Sequence, residues 1–362
     1  MKKDPPNHNP PQKEDGSPRK VFVLYNCDFD PSPPPRGVAR RDRSDVARAA
    51  HEVRDALGLA GFEPDILGIG GPDLTSCLER IRKSAPDLVF NLTESLAQRS
   101  VNEVVMPAVL QMLGVPFTGS GSLALALCLN KPKAKDILRA RGVPTPASCT
   151  VERAQDAANV DLPFPLFVKP SQEDASVGIK NESVVQDRRS LVKRVRELLD
   201  EVQQPVLIER YVEGRELNIT LLGNDPVTVL PFHEIDFSQL PEGHPRIVSY
   251  AAKWDQSSPE YAGTVPILAS DMAEGCRLSI ERCAVSAFRA LDLQDYGRVD
   301  FRLAEDGTPF VIDVNPNCDI SPGAGVARAA LAEGMEYPHL IRRICEIAWE
   351  RHANADSKAR AA

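Results

Sequence analysis

The chain has 362 residues, enough for two or three domains that each bury a hydrophobic core of their own. Its hydrophobic fraction of 42%, charged fraction of 26% and mean hydropathy of −0.26 exclude wholesale disorder, and no apolar run is long enough to span a bilayer. The formal net charge of −8 argues against a nucleic-acid or acidic-lipid partner and favours a small-molecule substrate.

The N-terminal region is rich in proline and has no apolar stretch typical of a secretory signal. Nine of the 31 prolines lie within the first 35 residues, which predicts a disordered tail over residues 1–19 and a stiff loop at DFDPSPPPRG. The eight cysteines are scattered without a CxxC pair, which argues against a zinc site or a disulfide framework. Together these features predict a cytoplasmic protein.

Strands and helices alternate in the first third of the chain. The apolar run VFVLYN (21–26) predicts a buried strand, and Ser44 begins a segment whose apolar residues recur at helical spacing. FEPDILGIG, TSCLERIRKSA and DLVFNL then continue the pattern as strand, helix and strand. This alternation predicts an α/β domain with a parallel sheet over residues 20–118. In the helix expected at 101–114, Pro107 either introduces a kink or caps the start.

In the rest of the chain, the predicted secondary structure changes from mixed helix and strand to mainly strand near Pro205. We expect two further lobes, at 119–204 and 205–350, and a tail at 351–362. Their predicted elements are helices near 131–141, 187–202 and 272–291, a strand at 165–170, and β-runs in PVLIERYV, ELNITLLG and PVTVLPF. RVDFRLA and PFVIDVNPN flank an Asp-Gly turn, which is a strong hairpin signal.

This hairpin carries the most informative polar residues. Asp313 and Asn315 alternate onto one strand face, and the hairpin can bring Asp300 opposite them. Three hard oxygen ligands of this kind suit Mg²⁺. The alternative is that they are ordinary polar positions on the open face of a sheet.

Phosphate-binding groups are expected further upstream. Lys169 ends an apolar strand, and Ser176 lies in the following loop SQEDASVGI, whose backbone N–H groups can cradle phosphate oxygens. Glu209 and Glu216, seven residues apart, could bind an adenine amine and ribose hydroxyls. The alternative for Lys169 is a solvated strand end, and two acidic residues in the loop would repel phosphate unless they point away.

Taken in order, these segments resemble the ATP-grasp superfamily, and within it the D-alanine–D-alanine ligase branch. The resemblance covers about residues 20–350 and rests on NLTES, VPFTGSG, LNKPKAK, GVPTP, LFVKPSQEDASVGI, LIERYVEGREL, SYAAKW, TVPIL and the hairpin. It implies an α/β fold of three lobes, with the parallel-sheet domain first and ATP held between the central and C-terminal lobes.

The resemblance also implies roles for individual residues. Phosphate-binding lysines are Lys131 and Lys169, and adenine and ribose contacts are Glu209, Tyr211, Val212 and Glu216. Lys253 matches a lysine of the loop that closes over the γ-phosphate, and Arg298 the arginine that stabilises an oxyanion. Asp300, Asp313 and Asn315 match the Mg²⁺ ligands, although the family usually has Glu at the second position.

The family's reaction joins a small-molecule carboxylate to an amine. The carboxylate attacks the γ-phosphoryl group of ATP, and the amine then attacks the acyl phosphate to give an amide, ADP and phosphate. Closure of the loop at 249–265 would exclude water. The implied cofactors are ATP and two Mg²⁺ ions, for which Mn²⁺ can substitute. Neither a nucleic acid nor a membrane is an expected partner, and a homodimer fits because related ligases are often dimers.

The substrate pockets match less well than the nucleotide site. Where the D-alanine enzymes have a glutamate on the first loop, a serine in the phosphate loop and a tyrosine on the lid, this chain has YNCDFDPSPPPRG, Ala175 and Trp254. A glycine and a Ser-Leu pair of the acceptor site are replaced by Asp319 and Ala324-Gly325. Candidate substrate contacts are Glu94, Trp254, Asp319 and Ser321.

An aspartate close to an anionic acceptor would repel it. We therefore expect an amino acid or similar metabolite as substrate and a product other than D-alanyl-D-alanine. The alternatives are an authentic D-alanine–D-alanine ligase of cell-wall synthesis and a catalytically silent ATP-binding regulatory protein.

Overall fold

The computed structural model describes residue 13 and residues 17–27, 44–71 and 74–361. It divides into two compact units. The first unit contains the described residues up to 27, residues 44–119 and the chain from Asp319 onwards, and the second unit contains residues 120–318. The proline-rich loop that follows residue 27 lies outside the described residues, as does most of the N-terminal tail.

The strands in chain order are β1 (Lys20–Asn26), β2 (Glu63–Ile69), β3 (Leu88–Leu92), β4 (Ser148–Val151), β5 (Leu166–Pro170), β6 (Val184–Val185), β7 (Val206–Arg210), β8 (Arg215–Leu222), β9 (Thr228–Val229), β10 (His233–Asp236), β11 (Val265–Leu268), β12 (Tyr296–Leu303) and β13 (Pro309–Asn315). The helices are α1 (Ser44–Leu59), α2 (Leu74–Ser84), α3 (Val105–Met112), α4 (Ser122–Leu129), α5 (Lys131–Ala140), α6 (Arg188–Val202), α7 (Tyr250–Trp254), α8 (Pro259–Ala262), α9 (Glu274–Ala290), α10 (Gly325–Ala332) and α11 (Tyr337–Ala361). None of the helices in these described ranges has the length and apolar character that a membrane crossing requires.

The first unit is built on a parallel sheet of order β2-β1-β3, as the alternation of strands and helices predicts. The central strand β1 is almost wholly buried, which explains its continuous apolar sequence. Helix α1 turns Ala50, Val53 and Leu57 into the core, so its predicted helical spacing is confirmed. Pro107 lies in the first turn of α3, directly after a 3₁₀ segment, and therefore caps the helix rather than kinking it.

The second unit contains two antiparallel sheets. One has the order β4-β7-β5-β6 and packs on α6; the other has the order β11-β10-β8-β12-β13, with β9 beside β8. In β8 and β12 every second residue, such as Leu217 and Val299, is buried in one core with α9. Polar residues occupy the alternate positions, so one face of this sheet is free to form a site.

Several elements differ from the sequence predictions. Strand β7 pairs with both β4 and β5, so the change of sheet comes after Arg210 rather than at Pro205. Only Thr228–Val229 of PVTVLPF is a strand, and α4 was not predicted. Helix α11 continues to Ala361, through the residues expected to form a tail, and the start of that stretch is held by Arg351, which donates to the carbonyl of Phe117 at 2.7 Å. The division into three lobes stays a prediction.

Candidate active site

The polar face of the large sheet brings acidic and basic side chains into rows. Asp300 on β12 lies directly opposite Asn218 on β8 and Asp313 on β13, and Arg298 lies opposite Asn315. Neighbouring side chains on one face of an antiparallel pair are about 5 Å apart, which is why the hairpin assembles these groups. The predicted juxtaposition of Asp300, Asp313 and Asn315 is present.

Asp300 is the centre of a hydrogen-bonded network. Arg298 donates Nε to Oδ1 at 2.7 Å and Nη2 to Oδ2 at 2.9 Å, a bidentate pair. Asn218 donates to Oδ1 at 2.8 Å and Asn315 to Oδ2 at 3.1 Å. Burial alone would lower the pKa of Arg298, but the attraction of Asp300 outweighs it and raises that pKa above its ordinary value. Arg298 is therefore a permanent cation held in place by Asp300.

Asp313 is bound by a lysine from a distant helix. A bulge on β13 leaves Ile312 as the extra residue between the pairs Asp300–Asp313 and Phe301–Val311. Lys131, at the first turn of α5, reaches Oδ1 of Asp313 at 3.0 Å and also Oδ1 of Asp174 at 3.0 Å. Burial opposes the charge on Asp313, yet the nearby cations, chiefly Lys131, lower its pKa. Asp313 is thus a carboxylate at neutral pH.

These side chains form a donor set that fits Mg²⁺. The ion prefers oxygen ligands, including one or two carboxylates, and completes its shell with water and phosphate oxygens. Asp300 and Asp313 supply two carboxylates, and Asn315, whose amide nitrogen is used by Asp300, supplies an amide oxygen. In the described part of the chain no group of three His, Cys, Asp or Glu side chains converges as a metal site. Both carboxylates are balanced by protein cations, so we expect an added cation to bind together with an anion.

A second buried cluster joins three charged residues. The carboxylate of Glu209, only 2% exposed, lies with Oε1 at 2.9 Å from Nζ of Lys169 and Oε2 at 2.7 Å from Nζ of Lys135. Lys169 also donates to the carbonyl of Ile312 at 3.1 Å, and Lys135 to Oγ1 of Thr145 at 2.6 Å. Burial would raise the pKa of Glu209, but the two lysines outweigh burial and lower it. Glu209 therefore contacts two lysines, and its role as an adenine contact stays a prediction.

A buried arginine organises the neighbouring end of the site. Arg302 is 3% exposed and reaches Glu216 at 3.4 Å, Oη of Tyr211 at 2.9 Å and the carbonyl of Arg246 at 2.6 Å. Its guanidinium also lies over the ring of Tyr211, with 5.2 Å to the ring centroid. Burial raises the pKa of Glu216 by more than Arg302 lowers it. Val212, which follows Tyr211 in the chain, is buried.

The predicted phosphate loop is hydrogen-bonded to the segment predicted as the lid. Ser176 donates Oγ to the carbonyl of Val248 at 3.0 Å, and Trp254 donates Nε1 to the carbonyl of Ala175 at 3.0 Å. Ala175 and Ser176 both have positive φ, at 55° and 59°, so the loop backbone is sharply turned. Nζ of Lys253 lies 5.2 Å from the centroid of the Trp254 ring. These contacts place Ser176, Lys253 and Trp254 together within the second unit.

The other candidate substrate residues belong to the first unit. The backbone N–H of Glu94 donates to Oδ1 of Asn26 at 3.0 Å, at the carboxyl ends of β1 and β3. Asp319 is exposed and accepts from the backbone N–H and the hydroxyl of Ser321, at 2.9 and 2.7 Å. Its carboxylate closes a local turn. Part of the first loop, expected to face the first substrate, is outside the described residues.

Sequence reasoning missed several residues that this site uses. Lys135 follows Lys131 by one helical turn in KPKAK, so both project from one face of α5. Arg302 shares its strand face with Arg298 and Asp300 by simple alternation in RVDFRL. The helical spacing and the strand alternation could both be seen in the sequence. The carboxylates that pair with these cations could not, because they come from distant segments of the chain.

Comparisons with known proteins agree on one family. Residues 137–346 match the family model described as the D-ala D-ala ligase C-terminus. The chain is 34% identical over 310 residues to the uncharacterized protein y4sG of Sinorhizobium fredii, covering 84% of this chain and 88% of that protein. It is 30% identical over 324 residues to a D-alanine–D-alanine ligase of Bordetella avium, covering 89% and 92%.

Solved structures give the same fold. The D-alanine–D-alanine ligase of Bacillus anthracis complexed with ATP has a TM-score of 0.68 at 20% identity and covers 93% of this chain and 99% of its own. The VanG D-Ala:D-Ser ligase of Enterococcus faecalis also has a TM-score of 0.68, at 17% identity, covering 92% and 100%. These likenesses concern the fold alone.

Proposed function

Because the chain belongs to the D-alanine–D-alanine ligase family and is an ATP-grasp ligase, we propose that it forms an amide from an amino-acid-like carboxylate and an amine through an acyl phosphate. The observation that carries the proposal is the alignment of Asp300, Asp313 and Asn315 beside Arg298 and Lys131. A catalytically silent binding protein would have no need to keep this charged set.

We propose ATP and Mg²⁺ as the phosphoryl donor and its metal. When bound, Mg²⁺ on Asp300, Asp313 and Asn315 would offset negative charge on the phosphate oxygens. Lys131 and Lys169 would donate to those oxygens, and each already lies in the site with its Nζ near a carboxylate. The number of ions and the use of Mn²⁺ are part of the proposal. The ATP complex of the Bacillus anthracis ligase, which shares this fold, supports the choice of nucleotide.

The residues would act on two successive steps. In the first, a carboxylate oxygen of the donor substrate bonds to the γ-phosphorus and the bond from that phosphorus to ADP breaks. In the second, the amine bonds to the acyl carbon, loses a proton, and phosphate leaves with the oxygen that came from the carboxylate. Arg298, a permanent cation, would donate to the oxyanion of the second step, and its removal would cost on the order of 10²–10³ in rate.

Water must be kept from the acyl phosphate between these steps. The contacts of Ser176 with Val248 and of Trp254 with Ala175 support closure of the 249–265 segment over the phosphate loop. The side chain of Lys253 would then face the γ-phosphate. We also propose small-molecule carboxylate and amine substrates, a cytoplasmic location and a homodimer.

ADP release tests the ligase reaction. We expect Mg²⁺-dependent release of ADP in a mixture of amino acids, together with an amide detected by mass. If the donor carboxylate is labelled with ¹⁸O, one label should pass to inorganic phosphate for each amide formed. Amide formation that leaves the phosphate unlabelled would contradict the acyl-phosphate route, and ATP turnover that persists without Mg²⁺ would contradict the metal site.

We further propose that the main product is not D-alanyl-D-alanine. Ala175 offers only a methyl group where the D-alanine enzymes have a hydroxyl, and Trp254 uses its single polar atom on the carbonyl of Ala175. The double variant with Ala175→Ser and Trp254→Tyr should therefore raise D-alanine-dependent ADP release above that of the wild type. A fall or no change would argue against these two positions as the cause.

A further inference from the structure

One lysine of the buried charge cluster has no part in the mechanism described above. Lys135 is 3% exposed, and its Nζ contacts Oε2 of Glu209 at 2.7 Å and Oγ1 of Thr145 at 2.6 Å. Burying an ammonium group is costly unless it is well paired. Burial in fact lowers the pKa of Lys135 despite the attraction of Glu209, and the neighbouring charge of Lys169 lowers it further. The charged form of Lys135 is therefore unfavourable at this buried position, and its presence there calls for a functional explanation.

The balance of charges among Glu209, Lys135 and Lys169 suggests what Lys135 does. Glu209 is a single carboxylate that two buried lysines share, one at each oxygen. Without Lys135 the cluster would be a neutral ion pair, in which Lys169 is fully balanced by Glu209. With Lys135 present the cluster has one more cation than carboxylates, so Lys169 can donate to an incoming phosphate while Glu209 keeps a partner.

We infer that Lys135 is a positioning residue that holds Glu209 and thereby releases Lys169 for the phosphates of ATP. The inference rests on the proposed function, since it assumes that Lys169 binds the nucleotide. Lys135 itself touches neither substrate nor metal in this account. The hydroxyl of Thr145, which lies between α5 and β4, accepts a second hydrogen bond from this ammonium group and helps to fix it.

The test measures nucleotide affinity in full-length protein by calorimetry with Mg²⁺ and a non-hydrolysable ATP analogue. Lys135→Met should raise the dissociation constant at least about tenfold, because Lys169 is then captured by Glu209. Adding Glu209→Gln to Lys135→Met should restore most of the affinity, since the amide no longer captures Lys169 yet can still accept a hydrogen bond from an adenine amine. Lys133→Met, on the exposed side of the same helix, is the matched control and should change nothing.

The rescue separates this role from a purely structural one. If Lys135 only fills space, the double variant should bind no better than Lys135→Met, and that result would overturn the inference. An unchanged dissociation constant in Lys135→Met would also overturn it. Should Lys135→Met fail to fold, Thr145→Val gives a milder perturbation, and wild-type affinity in that variant would count against the inference. A wild type that binds no nucleotide would instead overturn the proposed function.

Discussion

Replacing Arg302 by methionine should destabilise the second unit in a pH-dependent way. The change keeps an apolar stem but leaves Glu216 buried without the cation that it contacts. It also removes the hydrogen bonds that Arg302 donates to the Tyr211 hydroxyl and to the carbonyls of Gly214 and Arg246, of which the second still accepts from Tyr211. Removing one partner of a buried ion pair costs about 3–5 kcal/mol. For a unit of this size the melting temperature should then fall by about 6–20 °C.

The pH dependence follows from Glu216. Burial already raises the pKa of Glu216 above its ordinary value, and loss of Arg302 removes an opposing influence, so this pKa should rise further. A carboxyl with a higher pKa in the folded state binds more protons when folded, so the free energy of unfolding falls as the pH rises through that range. The deficit of Arg302→Met relative to wild type should therefore be larger at pH 8 than at pH 5.5.

Thermal unfolding followed by circular dichroism at both pH values measures this effect. Arg215→Met is the control, because Arg215 pairs with Glu234 on the same sheet but is partly exposed, and its loss should cost only about 0–1 kcal/mol. Adding Glu216→Gln to Arg302→Met should recover part of the loss. Equal losses at both pH values, or a loss no larger than that of the control, would refute the electrostatic reasoning.

Three further predictions concern the metal site, the coupling of Mg²⁺ and ATP binding, and the backbone at Gly214. Asp300→Ala should abolish Mg²⁺-dependent ADP release, and unchanged turnover would refute the metal assignment. Because the carboxylates of the site are balanced by protein cations, Mg²⁺ and ATP should each bind at least about tenfold more tightly in the presence of the other. Calorimetry measures the dissociation constant of each ligand alone and with the other, with EDTA as the metal-free condition. Dissociation constants that do not change when the second ligand is added would contradict this prediction. Gly214→Ala should lower the free energy of unfolding in urea by more than about 3 kcal/mol, because the new Cβ would lie 2.0 Å from the carbonyl oxygen of Leu303. The control Gly243→Ala, at a glycine that also has positive φ but has open space around it, should lower it by about 1–2 kcal/mol. Equal losses would mean that the clash at Gly214 is relieved.

The hairpin shows why part of the site could be predicted. The Asp-Gly turn between RVDFRLA and PFVIDVNPN predicts the hairpin, and the hairpin brings Asp300 close to Asp313 and Asn315. The exact pairing was not predictable, because the register that starts at the turn would place Asp300 opposite Ile312, and only the bulge at Ile312 places it opposite Asp313. The parallel sheet of the first unit was predictable because strands and helices alternate along residues 20–118.

The ion pairs depend on information that no local pattern contains. Lys135 meets Glu209 and Lys131 meets Asp313 only because α5 packs beside both sheets of the second unit, far away in sequence from its partners. Helix α4 was missed because SLALALCL is apolar on every side and shows no amphipathic stripe. The change of sheet after β7 likewise reflects pairing with β4 and β5 rather than the composition of the strand.

The proposed activity is amide formation by a ligase whose main product is not D-alanyl-D-alanine. The most direct measurement supplies the full-length protein with ATP, Mg²⁺ and D-alanine alone, and in parallel with a pool of amino acids, and identifies the products by mass. We expect an amide and ADP from the pool and little or no D-alanyl-D-alanine from D-alanine. Robust formation of D-alanyl-D-alanine from D-alanine alone would contradict it.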